Sequence, residues 1–486
     1  MSGIASWVTA KDLRHRLDAD FYRPEYLEFD HRAEARGLKT RQVVEISSLV
    51  TDGTHKTPSY VDSGVPFLSA KNIRNGFVDA GSGHKYVSAA EFDQLERWNC
   101  APRPDDVLVA KSGSIGSAGL AKGAYDRFAV FESAAIIRPS GVSPAYLSAY
   151  LNSRLGQLQI RRNSKGAVIR HLHLEDLREV EVPLPDRRIQ DYIGANVELA
   201  ERCRSQSAKL RSRAMELLAQ SWAWGNRGPA ELQDMAAGQI AYTIEPRIFE
   251  DRLDPEFYRP SFLAVDRWLD GQPCWRLSEL VEAPVKGVQP SYDPDGSVPA
   301  LTVTHVDPFV LDRNKASGFV TDAWLSRNAR ARIKAGELLY TVTGPPLGET
   351  VVVEEFHLPA AVNSHVARVA LRPHFKFPHL VAGMLNSPLG QLQTTRYAKG
   401  IRQKELYSID FVRFRFPKLS PPTCTRLERD LAASCRLVEE ARVLMEQAKA
   451  DVEALIEGTL DVEAILIGTV KALTADDIPD LAEDTA

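Results

Sequence analysis

The chain has 486 residues, 44% of them hydrophobic and 26% charged, and its 60 Lys and Arg face 64 Asp and Glu for a formal net charge of −4. That length exceeds what one hydrophobic core accommodates and predicts two to four domains, while the near-neutral balance excludes a global positive field, so any nucleic-acid surface must be local. Cys100, Cys203, Cys274, Cys424 and Cys435 lack CxxC spacing, the opening MSGIASWVTAKD lacks a signal-peptide core, and no run approaches the roughly eighteen apolar residues of a membrane span, so a soluble, cytoplasmic protein with reduced thiols is expected.

Taken in chain order, the predicted elements come twice. RLDADFYRPEYLEFD, from Arg16, returns as RLDPEFYRPSFLAVD, from Arg252, at an offset of 236 residues. SYVDSGVPFLSAKNI (59–73) then matches SYDPDGSVPALTVTHV (291–306), DDVLVAKSGSIG (105–116) matches GELLYTVTGPPLG (336–348), and LNSRLGQLQ (151–159) matches LNSPLGQLQ (385–393). So many matches in one order mark an internal repeat. Within a copy, Phe67-Leu68, Val107 to Val109 and Ala134 to Ile137 are short apolar runs that predict buried strands. Ala145 to Leu158 has apolar residues at helical spacing and predicts one amphipathic helix ending near Gly156. The glycine-rich KSGSIGSAG (Lys111 to Gly119) misses the spacing of a phosphate-binding loop and reads as a turn between strands.

After each globule comes a long helix. Asp186 to Trp222 carries Ile189, Ile193, Asn196, Ala200, Cys203, Ser207, Leu210, Ala214 and Leu217 at alternating steps of four and three, and Leu427, Leu431, Ser434, Val438, Ala441, Met445, Ala448, Val452 and Leu455 repeat the rhythm. A stripe this narrow wants one partner helix. The first helix leads from copy 1 to copy 2 and the second must return, so antiparallel pairing is expected, with Arg204, Lys209, Arg211 and Arg213 facing an acidic second helix. The fold class is therefore α+β, two repeated globules with two long antiparallel coiled-coil helices. Expected boundaries are 1–185 and 240–420 for the globules, 186–224 and 421–460 for the helices, 225–239 for a connector and 461–486 for a C-terminal tail, acidic and loosely held after Thr474.

Catalytic motifs are missing. The sequence holds no Asn/Asp-Pro-Pro-aromatic tetrapeptide of an adenine methyltransferase and no Asp/Glu-x-Lys nuclease signature. His171, His173 and Glu175 alternate as metal ligands on a strand would, but the other copy has Glu405, Tyr407 and Ile409 there. No enzyme activity, metal or cofactor is expected. What the loops do carry is Arg, Lys, Asn, Gln and His, the side chains that meet phosphates and base edges. In copy 1 the candidates for DNA contact are His55, Lys56, Lys71, Asn72, Arg74, Lys111, Lys165, Arg170 and His171; in copy 2 they are Lys286, Gln289, His305, Lys399, Arg402, Gln403 and Lys404. One framework with two sets of loops suits a reader of two short sequences; a scaffold that holds only protein partners is the competing reading.

The chain resembles the specificity (S) subunit of type I restriction-modification systems. DGTHKTPSY with VPFLSAKNI, the DDVLVAKSGSIG turn, the AYLSAYLNS helix and VPLPDRRIQDYI at the entry to the first long helix carry the resemblance, which spans nearly the whole chain. Copy 2 departs from it in KGVQPSYDPDG, in GPPLG and in the helix entry FPKLSPPTCTRLERDL. The resemblance implies two target recognition domains on double-stranded DNA, each reading half of a bipartite site. It also implies no catalysis by this subunit, two methyltransferase (M) subunits docked on the helices, and restriction/translocase (R) subunits in the full complex.

Overall fold

In a computed structural model, the structure describes residues 8–10, 13, 18–74, 76–78, 84–122, 126–164, 171–223, 243–244, 249, 252–313, 316, 318–400 and 402–482. The connector expected at 225–239 lies outside them. The described residues fall into two compact units, one of residues 1–206 with 437–486, the other of 207–436, so that each long helix contributes to both.

The first unit is built on an antiparallel sheet in the order Ser47–Asp52, Ala134–Pro139, Val107–Ala110, Ala118–Leu120. The apolar runs read from the sequence are its central strands: Val107, Leu108, Val109, Ile136 and Ile137 are all fully buried. A second sheet orders Ala129–Val130, Val65–Leu68, Lys85–Val87 and Tyr60–Val61, its first pair parallel. The second unit repeats the plan, with Val285–Lys286, Val366–Val369, Leu338–Thr341 and Thr350–Val352 in one sheet and a parallel pair, Val298–Leu301 with Ala361–Val362, in the other. In each unit an outlying strand pair, Thr40–Gln42 with Glu181–Pro183 or Cys274–Arg276 with Arg415–Pro417, closes the globule just before its long helix.

The shared LNSxLGQLQ segment explains itself in hydrogen bonds. Asn152 donates to the Ala118 carbonyl (2.9 Å) and accepts from the Ala118 amide (3.1 Å), extending the edge strand by one rung; Asn386 does the same to Thr350 (2.8 and 3.0 Å). Ser153 and Ser387 cap the next helix by accepting from the Gly156 and Gly390 amides at 3.1 Å. Gln157 and Gln391 each donate to a turn carbonyl, Gly116 and Gly348, at 2.9 Å. The single helix expected over Ala145 to Leu158 is instead two, Pro144–Asn152 and Arg154–Asn163. Ser153 ends one and caps the other with extended backbone (φ −66°, ψ 158°), and Gly156 lies inside the second because a Cβ there would sit 1.9 Å from the Tyr150 carbonyl oxygen. Periodicity survives such a break, which is why the sequence alone ran through it. The Lys111 to Gly119 stretch is the expected turn between two strands.

The long helices run Arg187–Ser221 and Pro421–Glu457. In the first unit Asn196 donates to Asp451 (3.2 Å); in the second, the Ser207 and Ser434 hydroxyls meet at 2.8 Å and each also reaches the other's carbonyl, while Trp222 donates to the Pro417 carbonyl (3.1 Å). In the second unit position rises on one helix as it falls on the other, so the pairing is antiparallel. The stripe drifts at its end: Leu218 is buried where Leu217 was expected, and Leu437 where Val438 was. The buried arc is also wider than a two-helix seam: Gln190 and Gly194 face the globule of the first unit, where Gln190 accepts from the Ser143 amide (2.9 Å), and Val197 and Glu201 are buried as well. Residues 461–482 form short helical turns on the first unit, with Ile465 buried and the Leu466 carbonyl accepting from Arg188 (3.1 Å), and in the stretch after Thr474, expected to be loosely held, Ile478 is buried as well. No described helix is long and apolar enough to cross a membrane.

Candidate nucleic-acid interface

In the first unit, the strand Ser47–Asp52 runs into Gly53, which has no room for a side chain because a Cβ would lie 2.0 Å from the Val130 carbonyl oxygen. That fixes the loop carrying His55 and Lys56. Asp52 at its root holds the Lys111 ammonium in a half-buried ion pair and stands 3.4 Å from the His55 ring, whose other nitrogen is 2.5 Å from Glu132. Lys111 and His55 are thus matched by acids, whereas Lys56 is exposed. On the next loop Lys71 is exposed, but Asn72 is wholly buried and accepts from the Ser69 amide (3.1 Å) to hold its own turn. Asn72 therefore leaves the candidate surface. His171 is exposed; Lys165 and Arg170 lie outside the described residues.

Beside these loops is a cleft of about 540 Å³. Arg74 from the loop hairpin, Arg161 and Ser164 from the end of Arg154–Asn163, Ser114 from the glycine turn and Lys449 from the second long helix line it. Lys449 is paired with Glu446 (2.7 Å); among the described residues Arg161, Lys56 and Lys71 have no carboxylate within salt-bridge reach. The adjacent Arg162, which looks equivalent in sequence, is buried: it donates to the Phe21 carbonyl (3.1 Å) with its guanidinium 4.2 Å from the Phe21 ring, as Arg396 does to Phe257 (3.2 and 4.4 Å). These arginines explain the repeated FYRP segment, whose aromatic ring and carbonyl they hold.

In the second unit the candidate cations are mostly spent. Lys286 is ion-paired to Glu405, Lys399 to the buried Asp410 (2.8 Å) and Lys404 to Glu256 (3.2 Å). His305 is buried and accepts from the Thr302 amide (2.9 Å), so it too leaves the surface, as a cap of its turn. Gln289, Arg402 and Gln403 are exposed. A second cleft, of about 420 Å³, was not legible in the sequence: Tyr292, Asp293, Trp324, Arg327 and Asn328 meet there from segments some thirty residues apart. Gly318 shapes it, since a Cβ at that position would lie 2.2 Å from the Tyr292 ring.

His171 and His173 do not alternate on a strand. His173 instead precedes the short helix Leu174–Arg178, and Glu175 is largely exposed.

No protein-family model and no curated protein matches the sequence. Among solved structures, the chain is similar to the S subunit of a type I restriction-modification system from M. genitalium, at 12% identity and a TM-score of 0.40, over 87% of this chain and 96% of that one. It is also similar to a chain from a structure of the type I R-M system addressing complex assembly and conformational transition (14% identity, 87% and 98% covered, TM-score 0.27) and to the HsdS subunit from Thermoanaerobacter tengcongensis (15% identity, 87% and 97% covered, TM-score 0.27).

Proposed function

We propose that the chain is the DNA sequence-recognition subunit of a type I restriction-modification complex, without catalytic activity of its own. In this reading each globule reads one half of a bipartite duplex target, and the long helices set the spacing and dock two M subunits, with R subunits joining in the full complex. The observation that carries it is the repetition of one framework, down to its Asn, Ser and Gln clamps, beneath two different surfaces. Selection that holds the scaffold and varies the loops is what two independent readers require. The first surface is a cationic cleft, and guanidinium groups there suit phosphate or guanine edges. The second surface reads through the Tyr292, Trp324, Arg327 and Asn328 cleft rather than through its neutralised lysines.

The neutralisation of Lys286, Lys399 and Lys404 favours one competing reading, that the second globule is a protein-holding scaffold. Mapping modified bases in cells with and without the gene separates the two. The proposal expects a bipartite motif that vanishes on deletion and whose second half is lost in Trp324→Ala with Arg327→Ala. A motif with a single half would support the scaffold, and an unchanged methylome would refute the assignment altogether.

A further inference from the structure

Within the second unit, three donors of different chemistry converge from three elements. His379 sits in the first turn of Pro378–Asn386, Cys435 lies on the second long helix, and Glu354 caps the short turn Glu355–His357 after a sheet strand. One ligand atom from each lies within 4.8 Å of the others, and His379 and Cys435 are buried. The His379 Nε2 atom is buried and stands 2.9 Å from a Glu354 carboxylate oxygen. On the far side of the ring, Nδ1 is 2.9 Å from Glu428, whose second oxygen accepts from the Leu380 amide (2.8 Å). A carboxylate held in place on the distal nitrogen fixes the tautomer and orientation of a ligating imidazole.

The first unit supplies an internal control. At an offset of 234 residues, His379, Glu428 and Cys435 correspond to Ala145, Gly194 and Glu201. There a Cβ on Gly194 would lie 3.0 Å from the Ala145 Cβ, so the helix and globule meet with no space for an imidazole and its carboxylate. The second unit has exchanged this close contact for a polar cluster, one that costs desolvation unless its groups are matched.

We propose that Glu354, His379 and Cys435 bind one divalent transition metal, of which Zn²⁺ suits a mixed N, S, O donor set best. Three protein ligands leave a fourth position, and Glu354, with 28% of its side chain exposed, marks the side from which water and the ion enter. The ion ties the second long helix to its own globule. The metal-free alternative is a protonated His379 between two carboxylates.

The test uses the full chain, stripped with a chelator and loaded with Zn²⁺. Wild type should retain one zinc per chain through gel filtration and melt at a higher temperature with zinc than without it. Cys435→Ser should lose the zinc and its thermal shift while staying folded by circular dichroism; Cys203→Ser, outside the cluster, should retain both. With Co²⁺, wild type should show a thiolate-to-metal charge-transfer band that Cys435→Ser lacks. Glu428→Gln should weaken affinity by about 10-fold to 100-fold. Failure of stripped wild type to bind zinc, or wild-type stoichiometry in Cys435→Ser, would overturn the site.

Discussion

Glu201 offers a measurable test of how the first long helix packs on its globule. Its carboxyl is buried, one oxygen has no hydrogen-bond partner among the described residues, and the closest cation, Arg204, is 3.7 Å away and committed to the Phe77 ring and the Val78 carbonyl. Burial outweighs Arg204 and Lys122 and raises its pKa from 4.5 to about 7. A carboxyl with a raised folded-state pKa binds its proton more tightly when folded, so its effect is neutral below about pH 4.5, and stability is lost as pH rises through about 7. Raising the pKa from 4.5 to about 7 corresponds to about 3 kcal/mol. Glu201→Gln keeps the shape of the neutral acid and cannot ionise. Its advantage over wild type should grow from about 1 kcal/mol at pH 5 to about 3 kcal/mol at pH 8.5. Urea unfolding of both proteins across that range, compared at equal slope, measures it. A difference that stays flat with pH, or a variant less stable than wild type at pH 8.5, would refute burial as the dominant influence on Glu201.

Further outcomes follow from the clamps and the cleft. Gly156→Ala drives a methyl against the Tyr150 carbonyl and should cost about 1–3 kcal/mol, read by thermal or urea unfolding, whereas Gly113→Ala, with open space around it, should cost less despite its positive φ of 68°. Arg74→Ala with Arg161→Ala should weaken binding of the assembled complex to every duplex and reduce the slope of log affinity against log salt by about 1–2, measured by fluorescence anisotropy over a salt series. Exchanging residues 42–184 for another such domain should change one half of the methylated motif and leave the other intact. Inserting seven residues into each long helix, after Ser207 and at the facing level of the second, keeps the stripe in phase and adds about 10 Å, which should lengthen the unread gap in the motif by about three base pairs.

The sequence by itself determined the repeat, the central strands, the turn at Lys111 to Gly119, and the two long helices. Each of these is written in local periodicity or in the recurrence of short segments, which survive without knowledge of what packs where. Asn196, Ser207 and Ser434 show the same for the seam: polar residues in a narrow stripe announce their position, though not their partner, since Asn196 meets Asp451, one residue off the expected stripe. Only tertiary structure decided which basic residues face solvent. Arg161 and Arg162 are adjacent and chemically identical, yet a rotation of about 100° per residue puts one in a cleft and the other against Phe21. Asn72 and His305 read as loop residues and serve instead as caps of buried turns, because a backbone amide left unpaired there costs more than a side chain withdrawn from the surface. The same holds for His379, Cys435 and Glu354, which lie up to 81 residues apart in the chain and share no spacing motif. Convergence of that kind is a property of packing, and it exists only once helix, turn and sheet have met.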